Sequence, residues 1–139
     1  MALSDDVRDV IRELVPDVPV WTRAEFDAQA HPWGAVVEQR SGGSIDQQCD
    51  TQTVYADVTV VGAGPGGTDQ GRARSRSEDQ AWRIYRALRG VYDRTVNGDY
   101  YIRIMADTPP QEQVQTDASG TAWGWTVGVE CVQWMGAEE

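Results

Sequence analysis

Ten residues, "QTVYADVTVV" (52–61), constrain the fold more than any other stretch of this chain. Val54, Ala56, Val58 and Val60 recur at every second position, with Tyr55, Asp57 and Thr59 between them. Successive side chains of a strand point to opposite faces, so this pattern describes a strand with one apolar face and one wet face. A strand covered by crossover helices on both sides would be nearly continuously apolar. The stretch therefore predicts a half-buried strand in an antiparallel sheet.

That expectation bears directly on the glycines next in the chain. Gly62, Gly64 and Gly67 spell GxGxxG, the spacing with which flavin and nicotinamide proteins hold a pyrophosphate. The motif works only where a buried parallel strand turns tightly into a helix whose N-terminus faces the phosphates. Here the strand has a wet face. The residues after Gly67, "TDQGRARSRS", carry no apolar stripe for packing a helix, and Asp93 lies too far on to hold a ribose. We therefore read the motif as a glycine loop stiffened by Pro65, with no cofactor.

Periodicity and capping define the remaining elements. Residues 4–14 read as a helix with Ser4 as N-cap, Asp5 and Asp6 in the first turn, and an apolar stripe of Leu3, Val7, Val10, Ile11 and Leu14. "VPVWTRAEF" and "WGAVVEQR" read as short strands around the connection "DAQAHP". "SEDQAWRIYRALRG" reads as a second helix, with Ser77 and Gln80 as a capping box, Ala81, Ile84, Tyr85 and Leu88 buried, and Gly90 closing it. Arg83, Arg86 and Arg89 fall on its other side. Asn97-Gly98 is a turn signal that either joins two strands or starts one, "YYIRIM", with Ile102 and Ile104 alternating against Arg103 and Met105. In the last strand, "WGWTVGVECVQW", Trp123, Trp125, Val127, Val129 and Cys131 share a face.

Two helices and about five strands without regular alternation predict an α+β fold, a mainly antiparallel sheet with both helices packed on one face. The 139 residues suit one domain, 1–139, able to bury about two thirds of its unfolded surface. Two long loops are expected, at 62–76 and 106–121, either disordered or used for contacts. Nothing resembles a signal segment or a membrane span, so a soluble protein made in the cytoplasm is expected. Cys49 and Cys131 lack any CxxC or His spacing and are expected reduced and buried, with no metal and no disulfide.

Charge narrows the function classes. The net charge is −10, yet residues 72–94 carry seven Arg against three acids, flanked by segments with four Arg against twelve acids and one Arg against seven. A nucleic-acid binder is net basic, whereas this pattern suits complementary contacts between copies or neighbours in an assembly, or simply a solvated face. Arg72, Arg74, Arg76, Arg83, Arg86 and Arg89 are the candidate interface residues. Catalysis has little to draw on: there is no GxSxG, HExxH or P-loop, and the single histidine, His31, precedes Pro32 in a connection. Asp5, Asp6, Asp9 and Glu13 read as a solvated helix face, and Trp123, Trp125 and Trp134 as core or as partner anchors.

Taken in order, the helix "LSDDVRDVIREL", the strand "DTQTVYADVTVVG", the helix "EDQAWRIYRALRG", then "GDYYIRIMADTPP" and the strand after "DASGTAWGWTVGVEC" resemble the tail terminator (minor tail or minor capsid) proteins of long-tailed bacteriophages. The resemblance is of pattern and covers about residues 53–131. It implies a non-enzymatic virion protein that forms a ring, expected to be hexameric, at the head-proximal end of the tail tube. Such a ring ends tube polymerisation and joins tail to head. Its implied partners are copies of itself, the major tail tube protein and head-to-tail connector proteins, with DNA only as cargo passing an acidic channel. Three other readings stay open: an adaptor or stopper of the phage neck, a dinucleotide enzyme, and a monomeric binding module that uses its tryptophan-rich strand.

Overall fold

The computed structural model describes residues 3–26, 33–62, 70–117 and 120–135; at 62, 70–74, 113–117 and 120–123 only the backbone is described. The elements are α1 (Leu3–Leu14), β1 (Val20–Thr22), β2 (Trp33–Asp46), β3 (Thr51–Gly62), α2 (Gln70–Ala87), β4 (Val91–Val96), β5 (Asp99–Asp117) and β6 (Gly120–Trp134). The strands form one six-stranded sheet in the order β1-β2-β3-β6-β5-β4. β1 runs parallel to β2, and every other neighbouring pair is antiparallel.

The sheet is apolar on one side because its central registers align the alternating valines. Val54, Val58 and Val60 of β3 stand opposite Cys131, Val127 and Trp125 of β6. Ala35 and Val37 of β2 extend the same face on one side, and Ile104 and Ala106 of β5 extend it on the other. Both helices cover this face, with Val7, Val10 and Ile11 of α1 and Ala81 and Ile84 of α2 in the same buried cluster, continued by Leu88 just past the helix. Each large aliphatic side chain buried there contributes about 1.5–3 kcal/mol. The expected α+β architecture is present, with six strands rather than five.

The additional strand, "VYDRTV" (β4), lacks a clean alternation: Val91 and Val96 are both buried although five residues apart. Asp93, held in the left-handed region at φ 56°, breaks the period between them. Asn97 (φ 52°) and Gly98 (φ 86°) then close a two-residue β4–β5 hairpin between Val96 and Asp99, as that dipeptide favours. On β5 the register shifts between Tyr101 and Arg103. Tyr101 and Ile104 are therefore the buried pair, and Ile102, expected to face inward, is 38% exposed.

Both expected loops contain regular structure. α2 begins at Gln70, seven residues before Ser77, which is buried in the helix instead of capping it. Arg, Ala and Gln are good helix formers, so a helix anchored by Ala81, Ile84 and Leu88 extends N-terminally without an apolar stripe. In the second case β5 continues to Asp117 and β6 starts at Gly120. β4 pairs with β5 only as far as Ile104, so beyond it no strand among the described residues pairs with that edge of β5. Pro109 and Pro110 fall in the register gap between Thr108 and Gln111, where a missing N–H is tolerated.

Three smaller expectations fail. Helix α1 starts at Leu3, so Ser4 is inside it, and Leu14 is 38% exposed. Cys131 is buried but Cys49 is exposed, because it lies in the β2–β3 turn, where Asp46 accepts backbone N–H bonds from Gln48 and Cys49. Gly64, Pro65, Gly67 and His31 lie outside the described residues. The strand leading into the glycine motif is antiparallel to both neighbours, which removes the parallel strand that a dinucleotide site needs. α2 does begin only three residues after Gly67, closer than the sequence indicates.

Asp6, read as solvated, is buried at 1% exposure. Its Oδ2 accepts the Tyr101 hydroxyl at 2.6 Å and its Oδ1 accepts Asn97 Nδ2 at 2.9 Å; the same amide reaches Asp9 Oδ2 at 3.0 Å. One carboxylate thus ties α1 to the β4–β5 hairpin, and an Arg94–Glu13 ion pair joins the same two elements. Burial and the neighbouring Asp6 raise the pKa of Asp99, whose Oδ2 is buried and faces no donor. Burial likewise pushes the Cys131 thiol up to about 12.

These contacts set stability and reactivity in measurable ways. Tyr101→Phe leaves a buried carboxylate short of a donor and lowers the unfolding free energy by about 1–3 kcal/mol in urea titrations. Asp99 holds its proton in the folded state over a window in which the unfolded chain, at 3.8, has lost it. Its contribution to stability therefore falls as pH rises through the folded value, and Asp99→Asn should exceed the wild type in stability at neutral pH but not below about pH 4. A thiol reagent should modify Cys49 in the native protein and Cys131 only after denaturation.

Candidate interaction surfaces

Packing both helices on one side leaves two surfaces that carry the unusual side chains. The first is the outer side of α2. Because Ala81, Ile84 and Leu88 point inward, the 3.6-residue period turns Arg83, Arg86 and Arg89 outward. Arg83 makes a two-pronged pair with Asp17, its Nη1 and Nη2 each 2.7 Å from a carboxylate oxygen. This contact lowers the Asp17 pKa and raises that of Arg83.

Arg86 and Arg89 are engaged differently. The Arg86 guanidinium lies 6.0 Å from the Trp82 ring and that of Arg89 lies 5.4 Å from the Tyr85 ring. The two rings meet edge to face at 5.4 Å. Arg89 also donates to the Tyr85 hydroxyl at 3.0 Å. Among the described residues neither arginine has a carboxylate partner, so the pair presents cationic groups on an aromatic platform. Arg76 is half-buried on the same helix, and Arg72 and Arg74 belong to its N-terminal end, where only the backbone is described. The α2 fold thus brings Arg83, Arg86 and Arg89 to one exposed side.

The second surface is the face of the sheet opposite the two helices, on which Val36 of β2 is buried and the central strands carry polar groups. Arg40 sits 4.9 Å over the Tyr55 ring and pairs with Asp57 at 3.4 Å and Asp107 at 3.7 Å. Arg103 pairs with Glu130 at 2.5 Å, and the hydroxyls of Thr59 and Thr126 meet at 3.1 Å. Gly128 stands where β5 shifts register, and a Cβ there would lie 2.7 Å from Asp107 Oδ1 and 2.8 Å from Thr108 Oγ1.

At the hairpin end this polar face gives way to aromatic surface. Trp134 and Tyr100 meet edge to face at 6.2 Å and, with Ile102, line a shallow cleft of about 470 Å³. Trp134 is 49% exposed and Tyr92 56%. Acids flank the cleft: Asp93 accepts the Tyr100 hydroxyl, and exposed Asp50 accepts the Met135 N–H at 2.6 Å through its carbonyl. The sequence pointed to Trp134 but not to this cleft, which the register shift at Ile102 and the β4–β5 hairpin create. Of the other tryptophans in β6, Trp125 is buried in the core, and the side chain of Trp123 lies outside the described residues.

Neither surface presents catalytic geometry among the described residues. No group of three or more His, Cys, Asp or Glu able to hold a metal occurs among them, and no helix is long and apolar enough to cross a membrane.

Among solved structures, the chain is similar to a protein in the virion of a native gene transfer agent particle. The two superpose with a TM-score of 0.58 over 95% of each chain, at 11% identity, so what they share is the fold. A second solved structure aligns over 98% of this chain and 94% of its own, at 15% identity and a TM-score of 0.46, too low to carry an argument. No family model matches the sequence, and no curated protein matches it.

The close approach at Gly128 yields a test of the polar face. Gly128→Val should displace Asp107 from Arg40 and lower the unfolding free energy by about 1–3 kcal/mol, measured by urea titration.

Proposed function

We propose that this chain is a structural subunit of a phage-type virion, a single-domain tail-terminator protein that forms a ring at the head-proximal end of a tail tube. The observation that supports this reading best is the fold shared, nearly end to end, with a protein of a gene transfer agent virion. The order of helices and strands that resembles tail terminators agrees with it. The ring, expected to contain six copies, would end tube growth and offer its other side to head-to-tail connector proteins.

The surfaces suit assembly. A ring subunit meets its neighbours through two different patches, a head-to-tail contact that closes by rotation. The α2 arginines and the aromatic end of the sheet are two such patches on opposite sides of the molecule. With a net charge of −10, the assembled ring would present like charge to DNA passing through it and discourage adhesion. No catalytic step and no cofactor belong to this reading.

Light scattering over a wide concentration range, with negative-stain imaging, tests it. Rings of about six copies that bind the ends of purified tail tubes are the expected result. Rings that bind only head-side proteins would move the assignment to a neck adaptor or stopper, and a strict monomer that ignores tube ends would overturn it.

A further inference from the structure

We infer that the cleft formed by Tyr100, Ile102 and Trp134 receives the Arg86–Arg89 edge of α2 from a second copy of this chain. This contact rests on the assembly proposed for the chain and adds the surfaces that meet. Three features of the molecule carry it.

The first is charge complementarity. Arg86 and Arg89 are exposed, stacked on Trp82 and Tyr85, and without a carboxylate partner among the described residues. At the cleft the exposed Asp93 carboxylate accepts the Tyr100 hydroxyl, and exposed Asp50 lies beside Met135, next to Trp134, through a backbone contact; the cations on the adjoining strands are already paired: Arg94 with Glu13 and Arg103 with Glu130. Arg89 gives one N–H to the Tyr85 hydroxyl, and a guanidinium beside a ring keeps its remaining N–H groups for other acceptors. Acids beside exposed aromatic rings form a site that accepts such a group both electrostatically and by stacking.

The second feature is an exposed apolar and aromatic patch at the hairpin end of the sheet, with Leu14 and Ile45 the exposed large apolar side chains outside it. Tyr92, Ile102, Trp134 and Met135 are all more than a third exposed and gather at this end of the sheet. Aromatic side chains next to arginine partners are the groups most enriched where protein interfaces concentrate their binding energy.

The third is placement. Trp134 stands opposite Thr51 at the end of a register in which the side chains of Val54 and Cys131 point to the core, which puts it on the face opposite the two helices. α2 covers the core face through Ala81, Ile84 and Leu88. The two patches therefore face away from each other, and a single copy cannot bring them together. Contact between them is head-to-tail, and its repetition gives a closed ring or an open filament according to the rotation it imposes.

The test uses the full chain and two variants, each defective in one patch: Arg86→Glu with Arg89→Glu, and Trp134→Ala. Both alter exposed positions, and circular dichroism verifies folding. If Trp134→Ala does not fold, Ile102→Glu replaces it. In light scattering each variant should need at least about tenfold more protein than the wild type for half-assembly. An equimolar mixture of the two should give dimers and nothing larger, since each variant keeps one intact patch. A wild type that assembles together with variants that assemble equally well would overturn this contact and leave the assembly reading in place. A wild type that stays monomeric at every concentration, with purified tail tubes as well as without them, would overturn both.

Discussion

The constraint on which the rest of this structure depends is that its central strands are apolar on one face only. β3 and β6 align Val54, Val58 and Val60 with Cys131, Val127 and Trp125, and that stripe needs one apolar layer above it. The two helices supply the layer. The opposite face, lined with Tyr55, Asp57, Thr59, Thr126 and Glu130, then stays open to polar contacts. A sheet buried on both sides could not keep Arg40 between Asp57 and Asp107 without the cost of desolvating those charges.

A second layer of order comes from a single buried carboxylate. Asp6 receives hydrogen bonds from Tyr101 and Asn97 and so fixes α1 against the β4–β5 hairpin, which is otherwise at the sheet margin. Hydrogen bonds to a buried charge are stronger than neutral ones. The nearby Asp99 carries the cost of that placement, since a second carboxyl cannot ionise easily beside the first. The hairpin held in this way carries Tyr92, Tyr100 and Ile102, and with Trp134 it completes the aromatic end of the open face.

The assembly proposed for this chain would draw on two of its surfaces. Six of its twelve arginines lie on or just past α2 and its most exposed aromatic rings, Tyr92 and Trp134, at one sheet end, on opposite sides of the core. The individual surface contacts are weak, as exposed ion pairs generally are, and the proposed ring would multiply them by repeating one contact around its circumference. What the chain shares with a protein of a gene transfer agent virion is the fold.

Much of the core was legible in the sequence because burial leaves a period: the valines of β3, the Ala81, Ile84 and Leu88 stripe of α2, and the alternation at Trp125, Val127, Val129 and Cys131 each occupy the face their spacing assigns. The side of α2 that carries Arg83, Arg86 and Arg89 was legible for the same reason. What local pattern could not determine depended on partners distant in the chain. β5 continues through Pro109 and Pro110 because β6 pairs with it and no described strand occupies its other edge. Asp6 is buried because Tyr101 and Asn97, some ninety residues away, offer it donors. Ile102 faces outward because of a register shift that leaves no periodic trace. The sequence by itself determined which faces are apolar, since side-chain direction follows from backbone geometry. Only the tertiary structure decided which polar groups could be buried and where the exposed aromatic rings gather, since both require long-range contacts to satisfy or align them.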